Sequence, residues 1–313
     1  MVIYDYPLKE KQNTKGCVLA LGFFDGVHIA HRNLISRAKD IAVKNNLQLG
    51  IFTFKSDGNI KSGSERLYDD KEKSEIFESL GADFVFFADF DAISGVSAED
   101  FVKKMLVDDI GCKICVAGFN FRFGKGASGK ATDLCKLMQE CNGEAIICEE
   151  IKANEETTLS ASLIRDLIKN GEIKSATEML GAPYYIKGRV LPGRQVGRVL
   201  GFPTVNIPIA EGKIIPRPGV YRTAIPIDGK IYSGVTNIGV CPTFELRSVH
   251  LEGYIINFNG NLYNKELKVF LLDFLRDEKA FSSLDELKDQ INIDTNRVIS
   301  ENGDITWQDL GLK

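Results

Sequence analysis

The sequence predicts two architectures in one chain: an α/β half on a doubly wound parallel sheet, then an all-β half closed into a six-stranded antiparallel barrel with a terminal helix. Three observations predict this. In the first half, short apolar runs alternate with stretches of helical spacing. Beyond Gly181-Ala-Pro183 the apolar runs follow one another without helices, punctuated by Gly and Pro. And 313 residues exceed the usual size of one domain. The expected domains are 1–182 and 183–313.

The elements follow in order. Val18–Phe23 reads as a strand, and Leu34, Ile35, Ala38, Ile41 and Ala42 follow at helical spacing. Leu47–Phe54 is a strand, Asp70–Leu80 a helix and Asp83–Phe87 a strand. Ser97-Ala-Glu-Asp100 has the form of a capping box, opening a helix to about Asp109. The strands Lys113–Ala117 and Ala145–Cys148 flank a helix at Asp133–Cys141. Two short helices, Ser162–Lys169 and Ile173–Leu180, close the half. Strands separated by helices of this length build a parallel sheet covered on both faces.

In the second half, strands are expected at Tyr184–Leu191, Thr204–Ile209, Val220–Ile227, Lys230–Asn237, Leu251–Phe258 and Leu267–Phe274. Asp228-Gly229 and Asn259-Gly260 mark turns. Six strands in succession favour closure over a sheet with two open edges. Ser283-Leu-Asp-Glu286 caps the last helix. The polar stretch 55–66 reads as a loop.

Composition excludes several classes. Apolar residues make up 44% and charged residues 26%, as in globular proteins that bury sizeable cores. The net charge is −4 with no long basic run, which gives no footprint for nucleic acid or an anionic membrane surface. The start, MVIYDYPLKEKQ, lacks the basic and apolar regions of a signal peptide. No apolar run approaches the ~18–20 residues of a membrane span. The expected location is the cytoplasm. Of seven cysteines, Cys112 and Cys115 form a C-x-x-C pair on an expected strand. Three residues apart on a regular strand they would face opposite sides, and no second pair stands at zinc spacing, so they read as core residues.

Four stretches carry chemistry. His28 and His31 follow the first strand and the Asp25-Gly26 turn, at the start of a helix. Unpaired N–H groups and the helix dipole suit a phosphate there, and i, i+3 spacing puts both imidazoles on one face. Two exposed histidines near a helix start are the competing reading. Gly124-Lys-Gly126-Ala-Ser-Gly129-Lys130 imitates both a dinucleotide fingerprint and a Walker A loop. It lies six residues past its strand, and Ala131 stands where a Walker loop needs Ser or Thr. A Gly/Lys loop near phosphates and a plain surface loop both stay open.

In GRQVGRVLGFPTVNI, glycines 193, 197 and 201 allow close backbone approach, and Arg194 and Arg198 carry charge for a polyphosphate. Thr204 and Asn206 share one face of a strand and offer two hard oxygens for part of a magnesium shell. A glycine-rich barrel corner with a polar strand end is the alternative. Glu252 lies on an otherwise apolar strand, where an inward acid is costly unless used or paired. It is either a general base for a hydroxyl or a solvent-facing side chain.

Together these stretches resemble one family, the prokaryotic bifunctional riboflavin kinase/FMN adenylyltransferases, also called FAD synthetases. The likeness runs in order from about Leu19 to Asp294. GFFDGVHIAH resembles the family's G-x-F-D-G-x-H-x-G-H, and GFNFRFG its G-x-[DN]-F-x-F-G. LSASLIRDLIKNGEIKSATEMLGAPY resembles its S-S-T-x-I-R…L-G-x-P-Y. GRVLGFPTVNI carries its P-T-x-N, and GVY, NIGVCPTFE and FLRDEKAF complete the second half.

The resemblance implies two reactions: the barrel phosphorylates riboflavin with MgATP to give FMN, and the first half joins FMN to the AMP of a second ATP to give FAD and pyrophosphate. It implies Glu252 as catalytic base and Thr204 and Asn206 as ligands of Mg2+. It implies Gly193, Arg198 and Gly201 on ATP phosphates, and Arg276 near the flavin. In the first half it implies His28 and His31 as stabilisers of phosphoryl charge. Gly22, Phe24, Asp25, Ser160, Ser162 and Arg165 would lie on ATP, and Asn120 and Arg122 on the flavin. Three positions depart from the pattern. Ala30 replaces a Gly, and Ala161-Ser162 replaces Ser-Thr. Phe54-Lys-Ser56-Asp57-Gly58 stands where the family has F-x-P-H-P, so a histidine gives way to Asp57. That loop keeps a second reading open, a riboflavin kinase whose first domain adenylylates weakly or only regulates.

Overall fold

The computed structural model describes residues 1–8, 16–56, 65–152, 158–193, 196–241, 248–301 and 305–312. Asp57 and Gly58 of the departing loop, Arg194, and residues 242–245 of the NIGVCPTFE stretch lie outside the described residues. The chain divides into two compact units, Met1–Ala161 and Ser162–Lys313.

The first unit is built on the strands β1 (Val2–Tyr6), β2 (Cys17–Leu21), β3 (Gln48–Phe54), β4 (Phe84–Ala88), β5 (Cys112–Gly118) and β8 (Glu144–Cys148), with a short ladder of β6 (Arg122–Phe123) and β7 (Gly129–Lys130). The six long strands are all parallel, in the order β1-β4-β3-β2-β5-β8. Strands β2 and β4 are buried throughout, as continuous apolar runs in a doubly covered sheet should be. The strand β1 escapes pattern reading. It is an edge strand with Val2 and Ile3 more than half exposed, so it lacks the apolar run of its neighbours.

The helix Ile29–Lys44 turns Leu34, Ile35, Ala38 and Ala42 to the sheet. Asp69 and Glu72 form a reciprocal capping box at the start of helix Asp70–Ser79. Ser97 caps the next helix as expected, but beyond Ala98–Asp100 the chain widens into a π-helix over Phe101–Asp109. The imitation Walker loop forms the turn and the second strand of the β6–β7 hairpin.

Cys112 and Cys115 are core residues, as expected, but they do not face opposite sides. Cys17 pairs with Cys112 but Val18 pairs with Ile114, so β5 bulges by one residue. The bulge reverses the alternation and brings Cys112 and Cys115 onto one face, in one core with Cys17, Leu19 and Leu21. Burial and the neighbouring thiols push the Cys112 thiol up.

The second unit contains β9 (Tyr185–Arg189), β10 (Thr204–Pro208), β11 (Gly219–Ile227), β12 (Lys230–Cys241), β13 (Ser248–Ile255) and β14 (Glu266–Arg276). They form an antiparallel sheet in the order β10-β13-β12-β11-β14-β9. A bridge between Leu191 and Asn206, with the Leu191 N–H donating to the Asn206 carbonyl at 2.8 Å, brings the two ends together and nearly closes the barrel. Asp228 and Gly229 take positive φ, 47° and 80°, in the β11–β12 turn that the sequence marks.

Ser283 caps the helix Leu284–Ser300, which seats Val298 on Val220, Val235 and Ile256. The helices Ala161–Asn170 and Ile173–Leu180 read from sequence as the end of the α/β half. From Ser162 onward they belong to the second compact unit. Lys174 pairs with Asp273 at 2.8 Å, and a Cβ at Gly171 would stand 3.3 Å from the Phe274 ring.

Candidate functional sites

In the first unit the chain passes from one side of β2 to the other: β3, β4 and β1 lie on one flank, β5 and β8 on the other. In open parallel sheets, ligands bind outside the carboxyl ends of the strands at such a switch point. β2 ends into Gly22–His28 and β5 into Asn120 and Arg122, so the two adjacent strand ends deliver both expected groups.

The Gly22–His28 turn is strained. Phe24 and Val27 take φ of 50° and 40°, uncommon for any residue but glycine and more so for a β-branched one. Thr53 Oγ1 donates to the Phe23 carbonyl at 2.9 Å and Arg32 Nε to the Val27 carbonyl at 3.1 Å, which pins the turn. The Phe24 ring is wholly buried, edge-on to His31 at 5.1 Å and to Phe77 at 5.7 Å. It backs His31 rather than facing outward. A Cβ on Gly22 would stand 2.9 Å from that ring, so Gly22 must be bare.

His28 forms the N-cap of the helix Ile29–Lys44, and its ring stacks on His31 with centroids 3.7 Å apart. Burial pushes His28 down to about 4 and lowers His31 well below its usual value, with His28 beside it adding to the shift. Both imidazoles are therefore neutral around pH 7. Their Nδ1 atoms are buried without a hydrogen-bond partner. Buried polar atoms are nearly always paired, so two such atoms at one helix start single it out as a candidate ligand site. Asn120 and Arg122 are exposed.

Where the departing loop begins, Ser56 donates its N–H and its hydroxyl to Asp70, at 3.0 and 2.6 Å. The buried Lys73 bridges Asp70 and the Phe54 carbonyl, each at 3.1 Å. Burial lowers its pKa. Lys55 pairs with Asp5 on β1 at 2.8 Å. Ser160 lies in the first unit, next to its last residue Ala161, while Ser162 and Arg165 ride on the helix Ala161–Asn170 in the second.

In the second unit one row of pairings crosses five strands. Asn206 stands opposite Glu252, Glu252 opposite Asn237, Asn237 opposite Val220, and Val220 opposite Arg276. Paired residues share a face of the sheet. Val205, Ile207, Leu251, Gly253 and Ile255 are buried, so the row points away from the barrel interior. Of the placements open to Glu252, the structure takes the outward one: it is exposed on the outer wall. Thr204 and Asn206 share that wall, as their spacing required. Thr204 Oγ1 donates to Glu252 Oε1 at 2.8 Å.

The helix Leu284–Ser300 covers part of this wall and leaves a cavity of about 240 Å3, lined by Thr204, Glu252, Tyr254, Arg276, Leu287 and Asp294. Arg276 is forked onto Asp294 through Nε at 3.0 Å and Nη2 at 2.8 Å, and Gln290 adds a third bond to the carboxylate. A second cavity of about 620 Å3 lies beside the first, lined by Gly193, Arg198, Thr204, Phe258 and Tyr263 among others. Thr204 borders both. Gly201 has φ +89°, and a Cβ on Gly197 would fall 2.4 Å from the Phe202 carbonyl, so the loop between these cavities depends on bare backbone.

Sequence reasoning passed over His250, Asn237, Asp294 and Lys73. Asn237 lies inside the NIGVCPTFE stretch and was legible there. The roles of the other three appear only through cross-strand and helix–strand contacts.

Two family models match the chain: FAD synthetase over residues 10–162 and riboflavin kinase over residues 180–300. The bifunctional riboflavin kinase/FMN adenylyltransferase of Listeria monocytogenes is 34% identical over 284 residues, covering 88% of this chain and 90% of the relative. Its counterpart in Bacillus subtilis is 32% identical over 302 residues, covering 93% and 94%. A crystal structure named as a macrolide-efflux protein from Streptococcus pneumoniae superposes with a TM-score of 0.85 at 27% identity, covering 96% of this chain and all of that one. Among the described residues of this chain, no helix is long and apolar enough to cross a membrane.

Proposed function

Because the chain belongs to the family of bifunctional riboflavin kinase/FMN adenylyltransferases, we propose that residues 183–313 make FMN from riboflavin and ATP and residues 1–182 make FAD from FMN and a second ATP. The observation that carries the kinase assignment is the outward row from Asn206 to Arg276. It sets an exposed carboxylate, two uncharged oxygen donors and a clamped guanidinium along one wall beside two adjoining cavities.

Riboflavin's ribityl hydroxyl carries a proton that must leave as its oxygen attacks the γ-phosphorus. Glu252 is the acceptor, and the Thr204 hydroxyl holds its Oε1 in place. The new bond forms to the γ-phosphorus, and the bond to ADP breaks. Arg276 lies three strand spacings from Glu252, about 14 Å along the wall, which spans a flavin from ring to chain end. Asp294 and Gln290 keep the guanidinium at that distance. Thr204 and Asn206 offer hard oxygens, the donor class that Mg2+ takes sparingly from protein when phosphate and water complete its shell. These two residues would hold the ion, which would neutralise charge on the transferring phosphates. The larger cavity, with Gly193, Arg198 and the bare loop, suits the ATP phosphates.

Adenylylation asks for something else. The FMN phosphate is already ionised at neutral pH, so its oxygen attacks the α-phosphorus without a base and pyrophosphate departs. The need is for donors where charge builds up. His28 and His31 are neutral in the free site, so each has one N–H to give, in a place shielded from water. The chain would work in the cytoplasm, where riboflavin and ATP meet.

The test is a time course of the protein with riboflavin and MgATP, resolving FMN, FAD, ADP and pyrophosphate. FMN with ADP, followed by FAD with pyrophosphate, is expected. Absence of both FMN and FAD overturns the kinase assignment. FMN that is never converted, even when supplied directly, overturns the adenylyltransferase.

A further inference from the structure

The β13 strand carries a second polar side chain on the same wall, two residues before Glu252. His250 Nδ1 lies 2.7 Å from Asn206 Oδ1. The contact is diagonal across the β10–β13 ladder, since Asn206 pairs directly with Glu252 and His250 with Pro208. The Thr204–Glu252 bond is the same diagonal displaced by two residues. Each oxygen-bearing side chain on β10 is thus engaged by the β13 residue lying two positions back from its direct partner.

A side-chain amide has two ends, and only its carbonyl end can hold a cation. Left to itself, Asn206 could turn either end outward by rotation about χ2. A donor fixed beside Oδ1 removes that freedom. An imidazole with its hydrogen on Nδ1 is such a donor, and it occupies one lone pair of Oδ1 while leaving the other unused. The far end of the amide is accommodated by the lack of a side chain at Gly193, whose Cβ would stand 3.1 Å from Asn206 Nδ2. The Asn206 backbone is pinned at the barrel seam by Leu191.

We propose that His250 is a positioning residue of the kinase site: it fixes the Asn206 carboxamide so that Oδ1 is presented, beside Thr204, to the cation that accompanies the nucleotide. The inference rests on the reading of Thr204 and Asn206 as magnesium ligands. Outer partners of this kind orient a ligand before the ion arrives, and losing one typically costs roughly 10–100-fold in metal affinity or activity.

The experiment measures ADP binding by calorimetry, with and without Mg2+, for the wild-type chain and for His250→Leu, His250→Asn and Asn206→Ala. The Asn amide nitrogen falls close to the position of imidazole Nδ1 and keeps a donor. His250→Leu should reduce the factor by which Mg2+ strengthens ADP binding by about tenfold or more, with metal-free ADP binding unchanged. His250→Asn should restore most of that factor, and KM for MgATP should follow the same order while FAD formation from FMN stays level. An unchanged magnesium factor in His250→Leu, or an equal loss in Leu and Asn variants, overturns the inference. A variant that also loses metal-free ADP binding or FAD formation marks a structural role and overturns it as well. If Asn206→Ala keeps the full magnesium factor, the metal-ligand reading itself fails, which separates the two claims.

Discussion

The two sites handle the same kind of bond with opposite equipment. In the first unit two imidazoles are stacked and buried, and burial leaves them neutral, in the state the proposed donor role would need. In the second a carboxylate and two oxygen side chains stand on an open wall, where the proposed act is acceptance of a proton. The difference follows from the nucleophile. A phosphate arrives ionised and needs only its developing charge met, so burial that strengthens hydrogen bonds helps. A ribityl hydroxyl arrives protonated and needs a proton acceptor within its reach, which a carboxylate on an open wall would offer.

The largest test of this contrast is Glu252→Gln, which keeps the shape and removes the acceptor. Kinase turnover should fall by roughly 10²–10⁴, with FAD formation from added FMN unchanged. Equal loss of both activities in a folded variant would break the comparison. Next is His28→Ala, which removes a donor from the buried pair. Adenylylation should fall by roughly 10²–10³ while riboflavin phosphorylation holds.

A smaller effect reads the burial itself. The unfolded chain protonates His28 near pH 6.5, but in the folded chain the group stays neutral until about pH 4. Stability contributed by the neutral form is complete above pH 6.5 and is lost as pH falls toward 4, by about 3 kcal/mol. Thermal melts between pH 7.5 and 4.5 should show this slope, flattened in His28→Gln; an identical slope in the variant would remove the burial argument. The smallest effect lies at Asp57, where the family pattern has a histidine. FMN should accumulate ahead of FAD, and Asp57→His should speed adenylylation by about tenfold, part of what one donor is worth. FAD appearing without an FMN lag, and slowed by Asp57→His, would mean that the loop makes another working contact.

Much of this was legible in the sequence because it depended on near neighbours. The alternation of apolar runs and helices marked the parallel sheet, and glycine-punctuated strands marked the barrel. Spacing alone put His28 with His31 and Thr204 with Asn206. What stayed hidden depended on register. The bulge in β5 that turns Cys112 and Cys115 onto one face has no sequence signature. Nor does the five-strand row, whose members are scattered from residue 206 to residue 276. The sequence leaves the side on which Glu252 lies open because its flanking residues are apolar; Tyr254 and Val235 are apolar to receive the last helix, on the outside. The edge strand β1 lacked a pattern because one side of it meets solvent.

The central claim, two sites of opposite protonic character working through released FMN, is tested most directly by mixing two inactive proteins. Glu252→Gln and His28→Ala variants are each incubated with riboflavin and MgATP, and then together, with FAD measured over time. The account predicts little FAD from either alone and substantial FAD from the mixture, after a lag in which FMN accumulates. A mixture no better than either variant, with both folded, would contradict it.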